Sequence, residues 1–429
     1  MSNPSDLTAS QVELAQSSTR LPVRTQLARR VCLKLLAKLK VGTLTIYDGE
    51  DTFQFGVDGN ATQPQAEIYV HDRSVYRQVI AGGSIASGEA YMAGSWTSPN
   101  LVEVTRLFSA NLATLDLLES KQSWFVRLGL KLSHALNRNT HEGSKKNISA
   151  HYDLGNDFFE LFLDPKMMYS AAVFESDTTG LDQASIAKLD ELCRQLDLSS
   201  SDHLLEIGTG WGGMAIHAAQ EFGCRVTTTT ISKEQYEYTK ARVKDLGLED
   251  RITVLCKDYR ELEGTYDKLV SIEMIEAVGH AFYSTYFSKC SELLKPDGKM
   301  VIQAITIADQ RFESARDSVD FIQRYIFPGG SLPSMSVIAD HIARNTDMQI
   351  VHLRDITRDY ALTLSTWRKR FMSAQDKVLT MNFDQSFLNM WEFYLAYCEG
   401  GFRERIISTV QLAFAKPGYR FDSTLSQLR

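Results

Sequence analysis

The chain has 429 residues, 44% hydrophobic and 23% charged, with a formal net charge of −7. That length accommodates two or three domains with full cores, and the acidic balance excludes a global basic field for nucleic acid. Six scattered cysteines with no C-x-x-C pair indicate neither a zinc site nor a disulfide framework, so no metal is expected.

Residues 1–20 are rich in Ser, Thr, Asn and Gln and are expected to be disordered. They lack the apolar core of a signal peptide, and no run in the chain is long enough to span a bilayer. A cytosolic, reducing compartment follows. Residues 21–120 read as a small α+β domain. Within it, "RTQLARRVCLKLLAKLK" (24–40) places leucines at helical spacing, with Arg24, Arg29, Arg30, Lys34, Lys38 and Lys40 between them. It suits first a surface helix with an inward stripe, and second a basic amphipathic helix on an anionic membrane. "GTLTIYD", "TFQFGVD" and "AEIYVHD" alternate as strands do. "AGGSIASGEAYMAGSW" (81–96), rich in small residues, predicts a tight bend beside an aromatic surface. "KLSHALNRNTHEGSKKN" (131–147) is polar and basic, and a linker is placed over 121–147, leading to a catalytic domain over 148–429.

"LDQASIAKLDELCRQLDL" is an amphipathic helix. After it, the apolar strands "LLEI", "RVTTTTI", "ITVLCKD", "KLVSIEMI" and "KMVIQAITI" alternate with helices near 213–222, 233–246 and 282–294. Repeated β-α units predict a parallel sheet covered on both faces, with ligands at the carboxyl ends of its strands. "EIGTGWGG" (206–213) follows the first strand and fits G-x-G-x-x-G with Gly208, Gly210 and Gly213. No lysine follows, which argues against a triphosphate. The second strand ends in threonines, not in the acid that binds a dinucleotide ribose, and the loop carries the bulky Trp211. Glu206, at the end of the first strand, would repel a pyrophosphate but suits a cationic ligand. Apolar-apolar-acid-apolar-G-x-G is the pattern of S-adenosylmethionine (SAM) methyltransferases. There Glu206 would take the ammonium, while Gly208 and Gly210 let the backbone approach.

Three further segments stand around this sheet: "HYDLGNDFFELFLDPKMMYSAAVFES" (151–176), "YIFPGGSLPS" (325–334) and "YALTLSTWRKRF" (360–371). With "GWGG" and "TISKEQ" they make the chain resemble the cyclopropane-fatty-acyl-phospholipid synthases and mycolic acid cyclopropane synthases, from about 140 to 415. The front domain resembles that of the bacterial phospholipid enzymes. The resemblance implies an α/β architecture: a Rossmann-like SAM-methyltransferase fold with a helical acyl-binding insertion and a small N-terminal α+β domain. It implies a cytoplasmic enzyme held peripherally at the inner membrane face, acting on unsaturated phospholipid acyl chains, with no nucleic acid partner and with room for a homodimer.

In that family the double bond takes the SAM methyl, a base removes a proton from it, and a cyclopropane ring closes. Carried over by motif, the cofactor residues are Tyr169, Ser170, Glu206, Gly208, Gly210, Trp211, Gly212, Thr230, Ser232, Gln235, Asp258 and Tyr259. Gln235 would hold the ribose hydroxyls, and Asp258 and Tyr259 would lie by the adenine. The family's base is a bound bicarbonate, here assigned to Glu276, Tyr360 and the backbone of Ile305. Cys398 matches a cysteine considered as a nucleophile, although "WEFYLAYC" also reads as a buried helix face. Phe158, Phe159, Phe162, Tyr325, Phe327, Trp367 and Phe371 suit an acyl tunnel, although each alone is as ordinary in a core.

The chain departs from the family at four places. Ala171 replaces a cysteine, Gln303 a histidine, Ala277 a histidine and Thr209 a cysteine. Gln303 exchanges hydrogen bonds but carries no proton, and Ala171 offers no polar side chain. The bicarbonate site is therefore expected to be thinned and the SAM site intact. Ring closure is the first reading. A methyl- or methylene-branched fatty acyl chain is the second, and SAM methylation of another small molecule stays open.

Overall fold

The computed structural model describes residues 22–57, 59–112, 154–176 and 178–420. The expected disordered stretch 1–20, the linker 121–147 and the first residues of the 151–176 motif lie outside them.

The front domain opens with the helix Val23–Leu36. The strands β1 (Thr43–Asp48), β2 (Asp51–Gly56), β3 (Gln65–Val70) and β4 (Trp96–Thr97) follow, in the order β2-β1-β3-β4. Asp48, fully buried at the end of β1, accepts from Arg29 Nε at 2.6 Å, Arg73 Nε at 2.5 Å and the Tyr76 hydroxyl at 3.0 Å. Burial alone would raise its carboxyl, but the Arg73 and Arg29 bonds outweigh this and hold it below the usual range. Arg29 is thus a structural ion-pair residue, unlike its exposed neighbours on the same helix.

The bend expected over 81–96 is confined to one residue. Most of it belongs to one helix, Val75–Met92, kinked where Gly83 takes φ 58° and ψ −138°. The small residues serve close packing. A Cβ added at Gly88 would lie 2.5 Å from the Phe321 ring. Gly88→Ala is expected to cost about 1–3 kcal/mol through overpacking, seen as a lower urea midpoint at unchanged m value.

The larger sheet has the order β10-β11-β9-β8-β5-β6-β7. The five expected strands are β5 (His203–Ile207), β6 (Arg225–Thr230), β7 (Ile252–Cys256), β8 (Tyr266–Ile272) and β9 (Leu294–Ile307), paired in parallel. The helices Leu181–Gln195, Gly213–Glu221, Lys233–Asp245 and Tyr283–Leu293 fall where the periodicity places them. Two further strands were not expected: β10 (Gln349–Asp355) and β11 (Ile407–Ala415). β11 runs antiparallel beside β9 and sets Gln411 opposite Gln303.

Phe158, Phe159, Phe162, Trp367, Phe371 and Trp391 are at most 1% exposed and share one apolar cluster with Leu44, Trp96 and Leu107 of the front domain. Both parts are therefore built on a common core, with the helix Gln385–Arg403 packed against the front-domain helices Val75–Met92 and Leu101–Ala110. This corrects the tunnel expectation for most of its aromatics. Of that set, Phe327 lines the cavity described next. The other six do not.

Candidate active site

A cavity of about 1220 Å³ opens at the carboxyl ends of β5, β6 and β8 and continues into the front domain. Gly208, Gly210, Gln235 and Asp258 line one end, and Leu36, Val79 and Phe108 of the front domain line the other. Tyr169, Phe327 and Tyr394 lie along it as well. Its volume exceeds that of ordinary single-ligand pockets, about 300–1,000 Å³.

The glycine loop turns sharply after β5, with φ of 102° at Gly208, 53° at Gly210 and 83° at Gly212. A Cβ on Gly210 would meet nothing within 4 Å, so this glycine leaves room for a ligand. A Cβ on Gly212 would lie 2.7 Å from Thr239, so this one serves packing, and it does not line the cavity. Glu206 is 2% exposed and accepts from Thr228 Oγ1 at 2.7 Å. Burial pushes its carboxyl up to about 8, against the Thr228 bond and the charge of Lys188.

On β6, Thr230 Oγ1 donates to Gln235 Oε1 at 2.9 Å and orients that amide. Ser232 accepts from the Gln235 N–H at 3.2 Å as a helix cap and, like Gly212, lies off the cavity wall. Asp258 and Tyr259 line the cavity, with Asp258 paired to Arg260 at 2.6 Å. Trp211 donates through Nε1 to Asn156 at 2.7 Å. A buried carboxyl that a cation would ionise, an open glycine and an oriented amide fit a cationic ligand with ribose hydroxyls, as SAM is.

Beyond this end lie two carboxylates that the chain brings together at the end of β8. Glu273 accepts from the Ala171 N–H at 2.8 Å, Gln303 Nε2 at 2.7 Å and the Tyr360 hydroxyl at 2.8 Å. Its backbone sits at φ 49°, a left-handed conformation that costs a side-chain-bearing residue about 1–2 kcal/mol. Glu276, one short 3-10 turn later, accepts from the Ile305 N–H at 2.5 Å, while its Oε2 has no hydrogen-bond partner among the described residues. Burial, and then the neighbouring Glu273 charge, push Glu276 up to about 8. Burial raises Glu273 as well, but its three donors favour the ionised form. Of the two, Glu276 is the carboxyl that favours its proton, and Glu273, raised by burial but held by three donors, is the better placed to carry the charge.

Ser170 Oγ accepts from the buried Lys188 ammonium at 2.8 Å, and the Tyr169 and Tyr394 hydroxyls are 2.8 Å apart. Burial, and then the Glu273 charge, keep Tyr360 protonated and a donor. Cys398 lines the cavity, but burial raises its thiol, so no thiolate is available at neutral pH.

The family model described as mycolic acid cyclopropane synthetase matches residues 139–412. The chain belongs to this family. It is 36% identical over 373 residues to a tuberculostearic acid methyltransferase of Mycobacterium tuberculosis, covering 84% of this chain and 87% of the relative. It is 34% identical over 363 residues to the cyclopropane-fatty-acyl-phospholipid synthase of Escherichia coli K12, covering 84% and 90%. Both alignments are long enough to reach well into the front domain. Among solved structures, the mycolic acid cyclopropane synthase CmaA1 in complex with SAH and CTAB superposes with a TM-score of 0.59 at 30% identity, over 63% of this chain and 98% of that one. The cyclopropane synthase MmaA2 of Mycobacterium tuberculosis gives 0.60 at 28%, with the same coverages. The fold is that of the SAM-dependent lipid methyltransferases, and the chain is a SAM-dependent methyltransferase.

For a cyclopropane synthase family member, the base site is unusual. The donors that the family resemblance assigns to bicarbonate are already taken by protein carboxylates: Tyr360 by Glu273 and the Ile305 N–H by Glu276. The departures Ala171 and Gln303 also donate to Glu273, one through its backbone and the other through its amide. A bicarbonate would be a further anion beside this pair, with the Tyr360 and Ile305 donors assigned to it already taken, and the residues do not fit it.

Sequence reasoning missed Glu273, Lys188 and Gln411. Glu273 was visible as the first acid of "SIEMIEAVGH", three residues before Glu276. Lys188 looks like an ordinary polar position of an amphipathic helix, and nothing local marks it as buried.

Proposed function

We propose that the protein adds one carbon from SAM to the double bond of an unsaturated acyl chain of a membrane phospholipid. The observation that carries this reading is the single cavity that joins the glycine loop, past the two carboxylates, to an apolar end built by the front domain. SAM, when bound, supplies an electrophilic methyl group. Glu206, Gly210, Gln235 and Asp258 bind and orient it. Tyr169, Phe327, Tyr360 and Tyr394 turn rings toward the chain, where their faces stabilise developing positive charge. The front domain keeps the chain out of water.

Loss of a proton completes the reaction. If it leaves the new methyl directly, a cyclopropane closes. If a hydride shifts first, a methylene branch results. The relative named as a tuberculostearic acid methyltransferase supports the second exit, and the synthase of Escherichia coli supports the first. A saturated methyl branch would need a hydride donor in a separate reductive step. Incubation with SAM and unsaturated phospholipid vesicles is expected to add one carbon and two hydrogens to acyl chains by mass spectrometry. Proton NMR then separates ring from branch. No gain on any lipid would sink the reading.

Contact with the membrane is read from the first helix. Val23 and Leu27 are 81% and 63% exposed, one turn apart, beside the exposed Arg24, Arg30 and Lys34. No helix among the described residues is long and apolar enough to cross a membrane. Near an anionic surface each basic residue contributes about 1 kcal/mol. The triple reversal Arg24→Glu, Arg30→Glu, Lys34→Glu is expected to cut co-sedimentation with phosphatidylglycerol vesicles at least ~10-fold. Arg29 is left in place because Asp48 needs it. Unchanged sedimentation would remove this helix from the account.

A further inference from the structure

We propose that Glu273 is the base of this reaction, a carboxylate built into the chain at the position where the family resemblance places bicarbonate. The inference rests on the one-carbon transfer argued above.

Glu273 lines the cavity near Tyr169, Tyr360 and Met274, the last of which also faces Gly208 of the glycine loop. Three donors from three separate segments, Ala171, Gln303 and Tyr360, converge on its two oxygens. They fix the carboxylate and leave it no rotational freedom. The left-handed backbone at Glu273 aims the side chain back into this cluster, and such strained residues concentrate at functional sites.

The orientation of the Gln303 amide is itself imposed from a distance. Glu191 can only accept, so it draws Gln195 Nε2, which lies at 3.0 Å and also donates to Gln411 Oε1 at 2.8 Å. Gln411 Nε2 donates to Gln303 Oε1 at 3.0 Å, which leaves Gln303 Nε2 facing Glu273. Gln303 and Gln411 are fully buried, and this row of bonds fixes the direction of every amide in it. Burial and the Glu273 charge favour the proton on Glu276, whereas the three donors favour the ionised form of Glu273. Lys188 adds a buried positive charge that favours an ionised Glu273.

After the methyl group has been added, the acyl chain carries a positive carbon. A C–H bond of the new methyl group breaks. Its electron pair closes the ring, or forms the new C=C bond after a hydride shift, and the proton passes to a Glu273 oxygen. No other reactant is required.

Wild type, Glu273→Gln and Glu273→Ala, each checked for fold by circular dichroism and for SAM binding by calorimetry, provide the test. In carbon-dioxide-depleted buffer, wild-type turnover is expected to be unchanged when bicarbonate is added. Glu273→Gln is expected to lose at least ~100-fold in kcat, the range of a lost general base, with its KM for SAM unmoved. Glu273→Ala is expected to regain turnover with bicarbonate or formate. A bicarbonate requirement in wild type, or a Glu273→Gln enzyme within about threefold of wild type, would overturn the proposal. A second readout needs no turnover. 13C-bicarbonate NMR with S-adenosylhomocysteine present should show binding to Glu273→Ala and none to wild type, and the reverse pattern would overturn it. A wild type that methylates no lipid would sink the function reading, while the NMR result would still decide what fills this position.

Discussion

Glu206→Gln is expected to weaken SAM binding by about 30- to 1,000-fold, the ~2–4 kcal/mol of a charged partner lost from a buried pair. The substitution keeps the shape and the bond from Thr228 Oγ1, and removes only the charge. The same residue sets a pH dependence. Its carboxyl lies at about 8 without ligand, so it is mostly protonated at neutral pH. A cationic ligand favours the carboxylate, so binding below that value releases a proton. Wild-type affinity should therefore rise with pH and level off above about 8. The Glu206→Gln enzyme should show a flat profile. Calorimetry with SAM in buffers of different ionisation heat measures both the affinity and the proton count. Wild-type affinity that does not change with pH would remove Glu206 from the cation site.

Tyr360→Phe is expected to lower kcat by about 100-fold, ~2.7 kcal/mol of barrier, while SAM affinity stays within a few-fold. The ring stacks on Phe402 at 4.4 Å, so phenylalanine retains the packing. The lost hydroxyl is one of three donors to Glu273. Without it the ionised form is less favoured, the Glu273 pKa rises, and the base is neutral at pH values where wild type is charged. The defect should shrink as pH increases, in a profile shifted upward from that of wild type. A loss equal at every pH would mean that Tyr360 acts through its ring alone and not through Glu273. Glu276, Lys188, Tyr360 and Tyr394 all interact electrostatically with Glu273, so the profile belongs to the cluster.

Much of this could be read in one dimension. The alternation of strands β5 to β9 with their helices is a local pattern of apolar residues, and it placed the glycine loop at a strand end. Glu206, Gly208 and Gly210 follow within a few residues of that end, so their roles depend on local geometry. Ser232 and Gly212 were grouped with them by motif, yet one caps a helix and the other makes room for Thr239. A motif records which residues occur together and not which of them touch the ligand. The bend expected over 81–96 narrows to a kink at Gly83, and Gly88 instead makes room for Phe321, a partner more than two hundred residues away.

The sequence by itself therefore determined the sheet, the cofactor loop and the family, because strand periodicity and βα turns are set by neighbours along the chain. Only the tertiary structure decided what stands at the base position. Ala171, Glu273, Gln303 and Tyr360 come from separate parts of the chain, with Gln303 132 residues from Ala171. The strand β11, not expected from the sequence, brings Gln411 against Gln303. Read singly, Ala171 and Gln303 are losses from a bicarbonate site. Folded together, they donate to a glutamate that takes its place, because hydrogen-bond donors are satisfied by what is near in space and not by what is near in sequence.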